Sequence, residues 1–178
     1  MTAAGTGSPR GEGTARRDAL AFGLLCETLV LDLLQARGWH CLARRWRCRW
    51  GELDLVLSRG QTLLLVEVKG RRRRPDGDLE GLLQQLMPAA KVRRLRLACA
   101  AWLSDSANHD HRQWPLLCWL VLMQLRQNCA PVPARSALQQ ALAASLPDQL
   151  GQRLPGAIVP ASAAPPGCPA EALWIPLD

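Results

Sequence analysis

The sequence predicts an α/β fold, because helical and strand patterns alternate along it. An apolar-periodic helix comes first, three strand patterns follow it, and a second helical segment precedes a last buried strand. Hydrophobic residues make up 48% of the 178 residues, which is enough for a packed core and excludes a wholly disordered chain. We therefore expect one folded domain.

Local signals justify each predicted element. The elements are, in chain order, a helix over 14–37, strands over 39–48, 50–57 and 62–69, a helical segment over 79–103 and a strand over 116–123. Thr14 is a candidate N-cap of the first helix, and Gly38 marks its end. A tight turn at Arg59 and Gly60 joins the second and third strands. Pro88 predicts an interruption or restart within the second helical segment.

The two ends of the chain differ in composition from its middle. Residues 1–13 are rich in Gly, Ser, Thr and Pro and predict a flexible leader. Nine of the 13 prolines fall in the last 52 residues. We expect 14–126 to form the domain and 127–178 to form a Pro/Ala-rich C-terminal tail, partly ordered at most, with a short helix around 136–146.

The positive charge belongs to the predicted domain. The whole chain carries +7, and the last 52 residues carry −1, with two arginines against three acids, so the first 126 carry +8. All of the 22 basic residues are arginines except Lys69 and Lys91. A lysine in such a chain is informative, because it can act as a compact donor and shift its pKa. The basic domain fits a polyanionic partner, with nucleic acid as the default.

Cysteine usage and hydropathy indicate the compartment. The seven cysteines form no Cys-x-x-Cys pair, which favours reduced thiols over a disulfide framework or a zinc ribbon. Glu27 and Asp32 interrupt the first apolar run, and the run over 114–123 is shorter than the roughly 20 residues that cross a bilayer. We expect a cytoplasmic protein without a membrane partner.

Strand alternation puts four charged residues on one face of the predicted hairpin. Glu52 and Asp54 share a face of the first strand, and Glu67 and Lys69 share a face of the second. The opposite faces are apolar and contain Leu53, Leu55 and Leu57 on the first strand and Leu64, Val66 and Val68 on the second.

The turn sets how these residues pair. With a two-residue turn at 59–60, Glu52 lies across from Glu67. Asp54 then lies across from Leu65 and is a diagonal neighbour of Glu67. A loop longer by two residues keeps the charges on one face, whereas a slip of one residue separates them.

Three carboxylates on one face repel each other unless a cation lies among them. Mg²⁺ or Mn²⁺, which prefer oxygen ligands, would relieve the repulsion. Lys69 adds a group that can hold a water molecule or an anionic oxygen, and this combination suits phosphodiester hydrolysis. The alternative is a solvated face on which Lys69 forms ordinary ion pairs with Glu52 or Glu67.

A carboxylate also interrupts the apolar stripe of the first helix. At about 100° per residue, the stripe consists of Leu20, Gly23, Leu24, Glu27, Val30, Leu31 and Leu34. A buried carboxylate needs a partner. Glu27 either faces the same metal site, with room left by Gly23, or pairs with a strand arginine.

These motifs together resemble the YraN family of bacterial proteins. The resemblance covers about residues 18–123 and is carried by Gly23 and Glu27, by Gly-Glu-Leu-Asp-Leu at 51–55, by Val-Glu-Val-Lys-Gly-Arg at 66–71, and by a helix with Lys91. The YraN family is similar, by its motif, to the PD-(D/E)XK nuclease superfamily and to archaeal Holliday-junction resolvases. The resemblance implies a restriction-endonuclease-like core, with a small mixed β-sheet flanked by helices.

The resemblance also implies roles for residues. The expected catalytic residues are Glu27, Asp54, Glu67 and Lys69; the expected ligands of Mg²⁺ or Mn²⁺ are Asp54, Glu67 and, directly or through water, Glu27; the expected supporting residues are Glu52 and Lys91. The implied activity is endonucleolytic hydrolysis of DNA, selective for structure rather than sequence. The alternatives are a nucleic-acid-binding protein that keeps the fold without turnover, and a scaffold whose charges are incidental.

Basic residues flank the charged hairpin. The candidate nucleic-acid-binding residues are Arg45, Arg47, Arg71, Arg72, Arg73 and Arg74. Their chemistry suits contacts with phosphates that do not depend on sequence. Trp46 and Trp50 stand between arginines and either stack on bases or pack in the core. The expected partner is DNA, and a homodimer is left open.

Overall fold

A five-stranded mixed sheet forms the centre of the molecule, in a computed structural model that describes residues 10–72, 79–125, 134–147, 150 and 170–177. The helices are α1 (Arg10–Ala36), α2 (Leu79–Leu86), α3 (Ala89–Ser104) and α4 (Arg135–Ala144), with a 3₁₀ helix at Ser106–His111. The strands are β1 (His40–Cys48), β2 (Gly51–Arg59), β3 (Thr62–Arg72), β4 (Leu116–Leu125) and β5 (Ala170–Pro176). The expected α/β class with a small mixed sheet is confirmed.

The strands lie side by side in chain order. Neighbours are antiparallel except β3 and β4, which are parallel. A parallel pair needs a crossover connection, and α2 and α3 stand in that connection. The two helices are separated at Pro88, which is the N-cap of α3, so the predicted restart is confirmed.

Two hydrophobic clusters fill the two faces of the sheet. One cluster packs α1 and α4 against the sheet and contains the buried indoles Trp119 and Trp174. The other packs α3 and contains Trp102. The central strand β3 contributes to both, with Leu64 in the first cluster and Leu65 in the second. The residues of β3 around position 67 therefore have helices on both sides.

The first helix differs from its predicted start and stripe. It begins at Arg10, so Thr14 is not its N-cap, and residues 10–13 are helical rather than part of a leader. Two glycines in that stretch have low helix propensity, which hid the extra turn in the sequence. Leu20 is 62% exposed, and the buried face is centred on Phe22, Cys26 and Val30. Residues 1–9 lie outside the described part.

The β2–β3 turn lies one residue later than predicted. Arg59 pairs with Thr62, so the loop residues are Gly60 and Gln61. Gly60 has φ +57°, a conformation that glycine adopts without strain and that such hairpin turns require. The pairing moves by two residues, which keeps the predicted parity as far as Leu55 and Val66, where the ladder ends. Glu52 is not across from Glu67, and its ladder partner is Arg47 on β1.

The strict alternation predicted for β2 fails at one residue. Leu53 packs in the cluster on the α3 face, whereas Leu55 and Leu57 pack in the cluster on the α1 face. The β2–β3 ladder ends at Leu55 and Val66. Beyond it, the backbone N–H of Val68 donates to a carboxylate oxygen of Asp54 instead of a β2 carbonyl. The strand thus departs from regular pleating at Leu53, between Glu52 and Asp54.

Two parts of the predicted C-terminal tail belong to the fold. Helix α4 matches the short helix expected around 136–146 and buries Leu138, Ala141 and Leu142. Strand β5, which was not predicted, pairs antiparallel with β4 and buries Trp174 and Ile175. The expected short helix is therefore present, and β5 is an ordered segment that the sequence did not predict. Residues 126–133, 148–149, 151–169 and 178 lie outside the described part.

Helix α1 is long and apolar enough to cross a membrane, as judged by length and composition over Gly13–Ala36, with a mean hydropathy of 1.7. One third of the most apolar window is buried inside the protein. Phe22, Cys26 and Leu29 of this helix pack in the sheet's core. A core helix passes the same test, so this feature is consistent with the soluble-type α/β domain that the sequence predicts.

Candidate functional site

Glu67 lies at the centre of a buried charged cluster. It is 1% exposed on the central strand β3, and its Oε1 accepts from Nζ of Lys69 at 2.6 Å. Nζ of Lys91, from the first turn of α3, lies 2.9 Å from the same oxygen. Lys69 shares a strand face with Glu67, as predicted. The structure therefore brings Glu67 together with both lysines of the chain.

Asp54 is the second carboxylate of this cluster. It is 9% exposed, its Oδ2 accepts from the N–H of Val68 at 2.9 Å, and Nζ of Lys69 lies 3.9 Å away. Burial, followed by the Glu67 carboxylate, raises the pKa of Asp54 to about 6, against the opposing effect of Lys69. The two carboxylates thus interact unfavourably, as the sequence predicted for neighbours on one face.

Glu27 projects from α1 toward the same region. Its side chain is 12% exposed, and its Oε2 lies 3.9 Å from Nε of Arg45. Burial raises the pKa of Glu27, while Arg45 and Arg44 oppose the rise. Glu27 therefore lies next to a strand arginine, which is one of the two arrangements expected from the sequence. Lys69 of the cluster also acts to lower the pKa of Glu27.

Two carboxylate oxygens in this region are buried without a hydrogen-bond partner, namely Oε2 of Glu27 and Oε2 of Glu67. A buried unpartnered oxygen is unfavourable, and a carboxylate oxygen of this kind is a ready cation ligand. Among the described residues, no three His, Cys, Asp or Glu side chains form a group that would hold a metal. Mg²⁺ usually takes only one or two carboxylates, with water and phosphate oxygens, so the pair of Asp54 and Glu67 fits it.

Glu52 lies beside this pair and binds two of the candidate arginines. Arg45 donates to its Oε1 at 2.8 Å, and Arg47 donates to its Oε2. Burial would raise the pKa of Glu52, but the hydrogen bonds from these arginines outweigh it and lower the pKa. Glu52 is therefore an ionised anchor for Arg45 and Arg47. Both arginines are ion-paired, although the side chain of Arg47 remains 70% exposed.

Arg45 has an unusual backbone conformation for its place in a strand. Its φ is +50°, and within the described residues it is the one non-glycine with a positive φ. Such a conformation costs about 1–3 kcal/mol and persists where the surroundings enforce it, often at functional sites. In this position the side chain reaches both Glu52 and Glu27.

The basic segment after Lys69 is only partly described. Arg71 is exposed and donates to the carbonyl of Gly70. Arg72 ends strand β3, and Arg73 and Arg74 lie outside the described residues. A role for these four arginines in binding nucleic acid stays a prediction.

Gly70 is a structural residue of the site whose role the sequence did not reveal. A Cβ added there would lie 2.8 Å from ring atoms of Phe22 and 3.0 Å from Sγ of Cys26. Glycine at this position therefore lets α1, which bears Glu27, lie close against β3 next to Lys69. The sequence shows this glycine directly after Val-Glu-Val-Lys, but nothing in the pattern indicates that a helix packs against it. Gly23, in contrast, has open space around it.

Fold and site together define a small α/β protein with a mixed sheet and a buried carboxylate–lysine cluster on its central strands. The chain belongs to the uncharacterised protein family UPF0102, which matches residues 26–124. This confirms the YraN-like resemblance. The matched segment contains Glu27, Asp54, Glu67, Lys69 and Lys91, whereas α4 and β5 lie beyond it.

Relatives from several bacteria share this segment. A UPF0102 protein of Mycolicibacterium vanbaalenii strain PYR-1 is 38% identical over 96 residues, covering 54% of this chain and 76% of the relative. One from Prochlorococcus marinus strain MIT 9313 is 40% identical over 111 residues, covering 62% and 86%. Another from Synechococcus sp. strain CC9902 is 44% identical over 88 residues, covering 48% and 69%.

Proposed function

We propose that this protein is a PD-(D/E)XK-type endonuclease that hydrolyses DNA phosphodiester bonds with Mg²⁺ or Mn²⁺, selecting its substrate by structure. The observation that carries the proposal is the cluster of Asp54, Glu67 and Lys69. Nζ of Lys69 lies 2.6 Å from Glu67 and 3.9 Å from Asp54, and Glu67 is almost fully buried. A buried pair of carboxylates beside a lysine has little structural benefit and suits metal-assisted hydrolysis.

Asp54 and Glu67 are the residues that would hold the ion. When bound, the ion supplies Lewis-acid stabilisation of the negative charge on the phosphate. The raised pKa of Asp54 supports this assignment, because the environment disfavours two charged carboxylates without a cation. The unpartnered Oε2 of Glu67 supports it as well.

Lys69 is the residue that would act on the reacting groups. Its ammonium can donate to the attacking water or to a phosphate oxygen and so stabilise developing charge. In the present arrangement it donates to Oε1 of Glu67 and to the carbonyl of Val68. Lys91 holds the same oxygen of Glu67 and fixes the carboxylate in place.

A second candidate function is nucleic-acid binding without hydrolysis. The observation that favours it is that two ammonium groups, from Lys69 and Lys91, already neutralise Glu67. In this second candidate the two lysines would take the place of a metal ion beside Glu67. In that case the arginines that flank the cluster would bind DNA through its phosphates, and the carboxylates would only hold the lysines in place.

Cleavage assays separate the two candidates. Linear, flapped, bulged and four-way DNA should be incubated with the protein in Mg²⁺, Mn²⁺ or EDTA. The proposal predicts cleavage of at least one structured DNA in metal, none in EDTA, and loss of cleavage in Glu67→Gln. Asp110→Asn is a matched control, because Asp110 is an exposed acid on the 3₁₀ helix. Binding of these DNAs without cleavage in any metal would favour the second candidate.

A further inference from the structure

A small cavity lies between the β1–β2 turn and helix α3, next to the charged cluster. Its volume is about 130 Å³, and its lining includes Trp50, Glu52, Lys91, Arg94, Leu95 and Ala98. Leu95 and Ala98 are buried residues of α3 and form an apolar wall. The cavity thus combines an aromatic ring, an apolar wall, two cationic side chains and the carboxylate of Glu52.

The aromatic wall is held in place by its neighbours. The indole of Trp50 packs against the hydrophobic cluster on the α3 face. The guanidinium of Arg49 stacks on the ring, 4.7 Å from its centroid, and Arg49 is not part of the cavity lining. Glu52, on the opposite side of the turn, is held by Arg45 and Arg47. Binding at such a wall costs little ordering of side chains.

Lys91 connects this cavity to the proposed catalytic cluster. It lines the cavity, and its Nζ lies 2.9 Å from Oε1 of Glu67. A group bound in the cavity is therefore separated from the Glu67 carboxylate by a single side chain. Arg94, one helical turn further along α3, is exposed and adds a second positive charge at the rim.

We propose that this cavity binds one unpaired nucleobase of the DNA strand, next to the phosphate that the charged cluster attacks. The inference rests on the proposed function and names its substrate class: DNA with an unpaired nucleotide at the cleavage point. An aromatic ring with an apolar wall suits the flat face of any base, and cationic groups suit the adjoining phosphates. A base in a paired duplex is stacked between its neighbours and cannot lie between the β1–β2 turn and helix α3 without leaving the duplex.

A comparison of two DNA ligands isolates the base. Both are the same duplex with a single-nucleotide bulge, and in one of them the bulged nucleotide is abasic. The two carry equal phosphate charge, so electrostatic contacts contribute equally to both. Dissociation constants are measured by fluorescence anisotropy in EDTA, where no metal-dependent cleavage occurs. The wild-type protein should bind the base-containing bulge roughly 5- to 160-fold more tightly, which corresponds to one base–aromatic stack of about 1–3 kcal/mol.

Substitutions then assign this preference to the cavity. Trp50→Leu should bring the ratio of the two dissociation constants close to one. Arg94→Gln should weaken binding of both ligands to a similar extent. Two matched controls should keep the wild-type ratio and affinity: Trp114→Leu, a partly buried indole of the same hydrophobic cluster, and Arg96→Gln, an exposed arginine of the same helix.

The outcomes separate this inference from the proposed function. Equal binding of both bulges by the wild-type protein would overturn the inference, and this result does not depend on whether Trp50→Leu folds. A folded Trp50→Leu protein with an unchanged ratio of the two dissociation constants would overturn it as well. Cleavage in Mg²⁺ without a preference for the base-containing bulge would support the proposed nuclease activity and overturn the inference about the cavity. A base preference that depends on Trp50, with no cleavage in any metal, would support base binding in the cavity and overturn the proposed nuclease activity.

Discussion

Lys91 of helix α3 lies 2.9 Å from the buried Glu67 of strand β3 and thereby links the crossover helix to the central strand. Together with Lys69, it places two ammonium groups on one carboxylate oxygen. The two ammonium groups compensate the charge of a carboxylate that is buried between the sheet and α3.

Lys91→Met should destabilise the protein by about 1–3 kcal/mol, because a buried carboxylate loses one of its two cationic partners. Thermal or urea unfolding measures the change. Arg96→Gln, on the same helix and exposed, should leave stability within about 0.5 kcal/mol of wild type. Equal stability of Lys91→Met and wild type would show that Lys91 does not support Glu67.

The protein's stability should depend on pH through Asp54. Because its pKa is raised to about 6 in the folded protein from 3.8, the folded state binds a proton more tightly than the unfolded state. The contribution of this group is therefore present at pH 4 and is lost as the pH rises through 6. Asp54→Asn removes the effect, so its stability relative to wild type should rise from near zero at pH 4 to roughly 1–3 kcal/mol at pH 7.

Urea unfolding of both proteins from pH 4 to pH 8, without divalent metal, measures this difference. Glu27, whose pKa is also raised, contributes in the same direction to the wild-type curve and remains in both proteins. A difference that does not change with pH would contradict the environment assigned to Asp54.

Metal should stabilise the wild-type protein but not its ligand variants. Mn²⁺ added at a hundred times its dissociation constant should raise the free energy of unfolding by about 2.7 kcal/mol, because it binds only the folded site. Glu67→Gln should lose this gain, and Asp110→Asn should keep it. The affinity should also increase from pH 5 to pH 7, since Asp54 must lose its proton to bind metal. Melting curves with Mn²⁺ and with EDTA test this, and an equal shift in Glu67→Gln would contradict it.

Gly70→Ala should separate α1 from β3 next to the cluster. Its Cβ would lie 2.8 Å from the ring of Phe22, so the protein should lose about 1–3 kcal/mol of stability. Gly23→Ala is a matched control on α1, where a Cβ has open space and alanine favours the helix by up to about 1 kcal/mol. A smaller side chain in Phe22→Leu, combined with Gly70→Ala, should recover part of the loss. Unfolding curves that match for Gly70→Ala and Gly23→Ala would refute the close approach.

Periodicity was sufficient to predict most elements and the charged face. The turn lies one residue later than predicted, which moves the strand pairing by two residues and preserves its parity. Nζ of Lys69 lies 2.6 Å from Glu67 and 3.9 Å from Asp54, so the three predicted residues are close together. The break in alternation at Leu53 was not predictable, since it accompanies a hydrogen bond between Asp54 and Val68, which lie on different strands.

Contacts between distant elements explain the other differences. Lys91 was named as a supporting residue by resemblance, but its position on Glu67 depends on how α3 packs across the sheet. Arg45 and Arg47 were expected to bind nucleic acid. Arg47 pairs with Glu52 because the β1–β2 register places them opposite each other, and Arg45 reaches Glu52 from a backbone conformation with φ +50°. Strand β5 was missed because a short apolar segment among prolines acquires its structure only by pairing with β4.

The proposed nuclease site is tested most directly by the single-turnover rate at which wild type and Lys69→Met cleave a bulged DNA duplex in Mg²⁺. DNA affinity is measured separately in EDTA. The rate should be at least roughly 100-fold lower in Lys69→Met, with affinity little changed, because Lys69 acts on the reacting groups rather than on distant phosphates. Arg71→Gln, an exposed neighbour, should mainly weaken binding. A wild-type protein that cleaves no DNA in Mg²⁺ or Mn²⁺, or a Lys69→Met protein that cleaves at the wild-type rate, would show that Lys69 and its two carboxylates do not form a nuclease site.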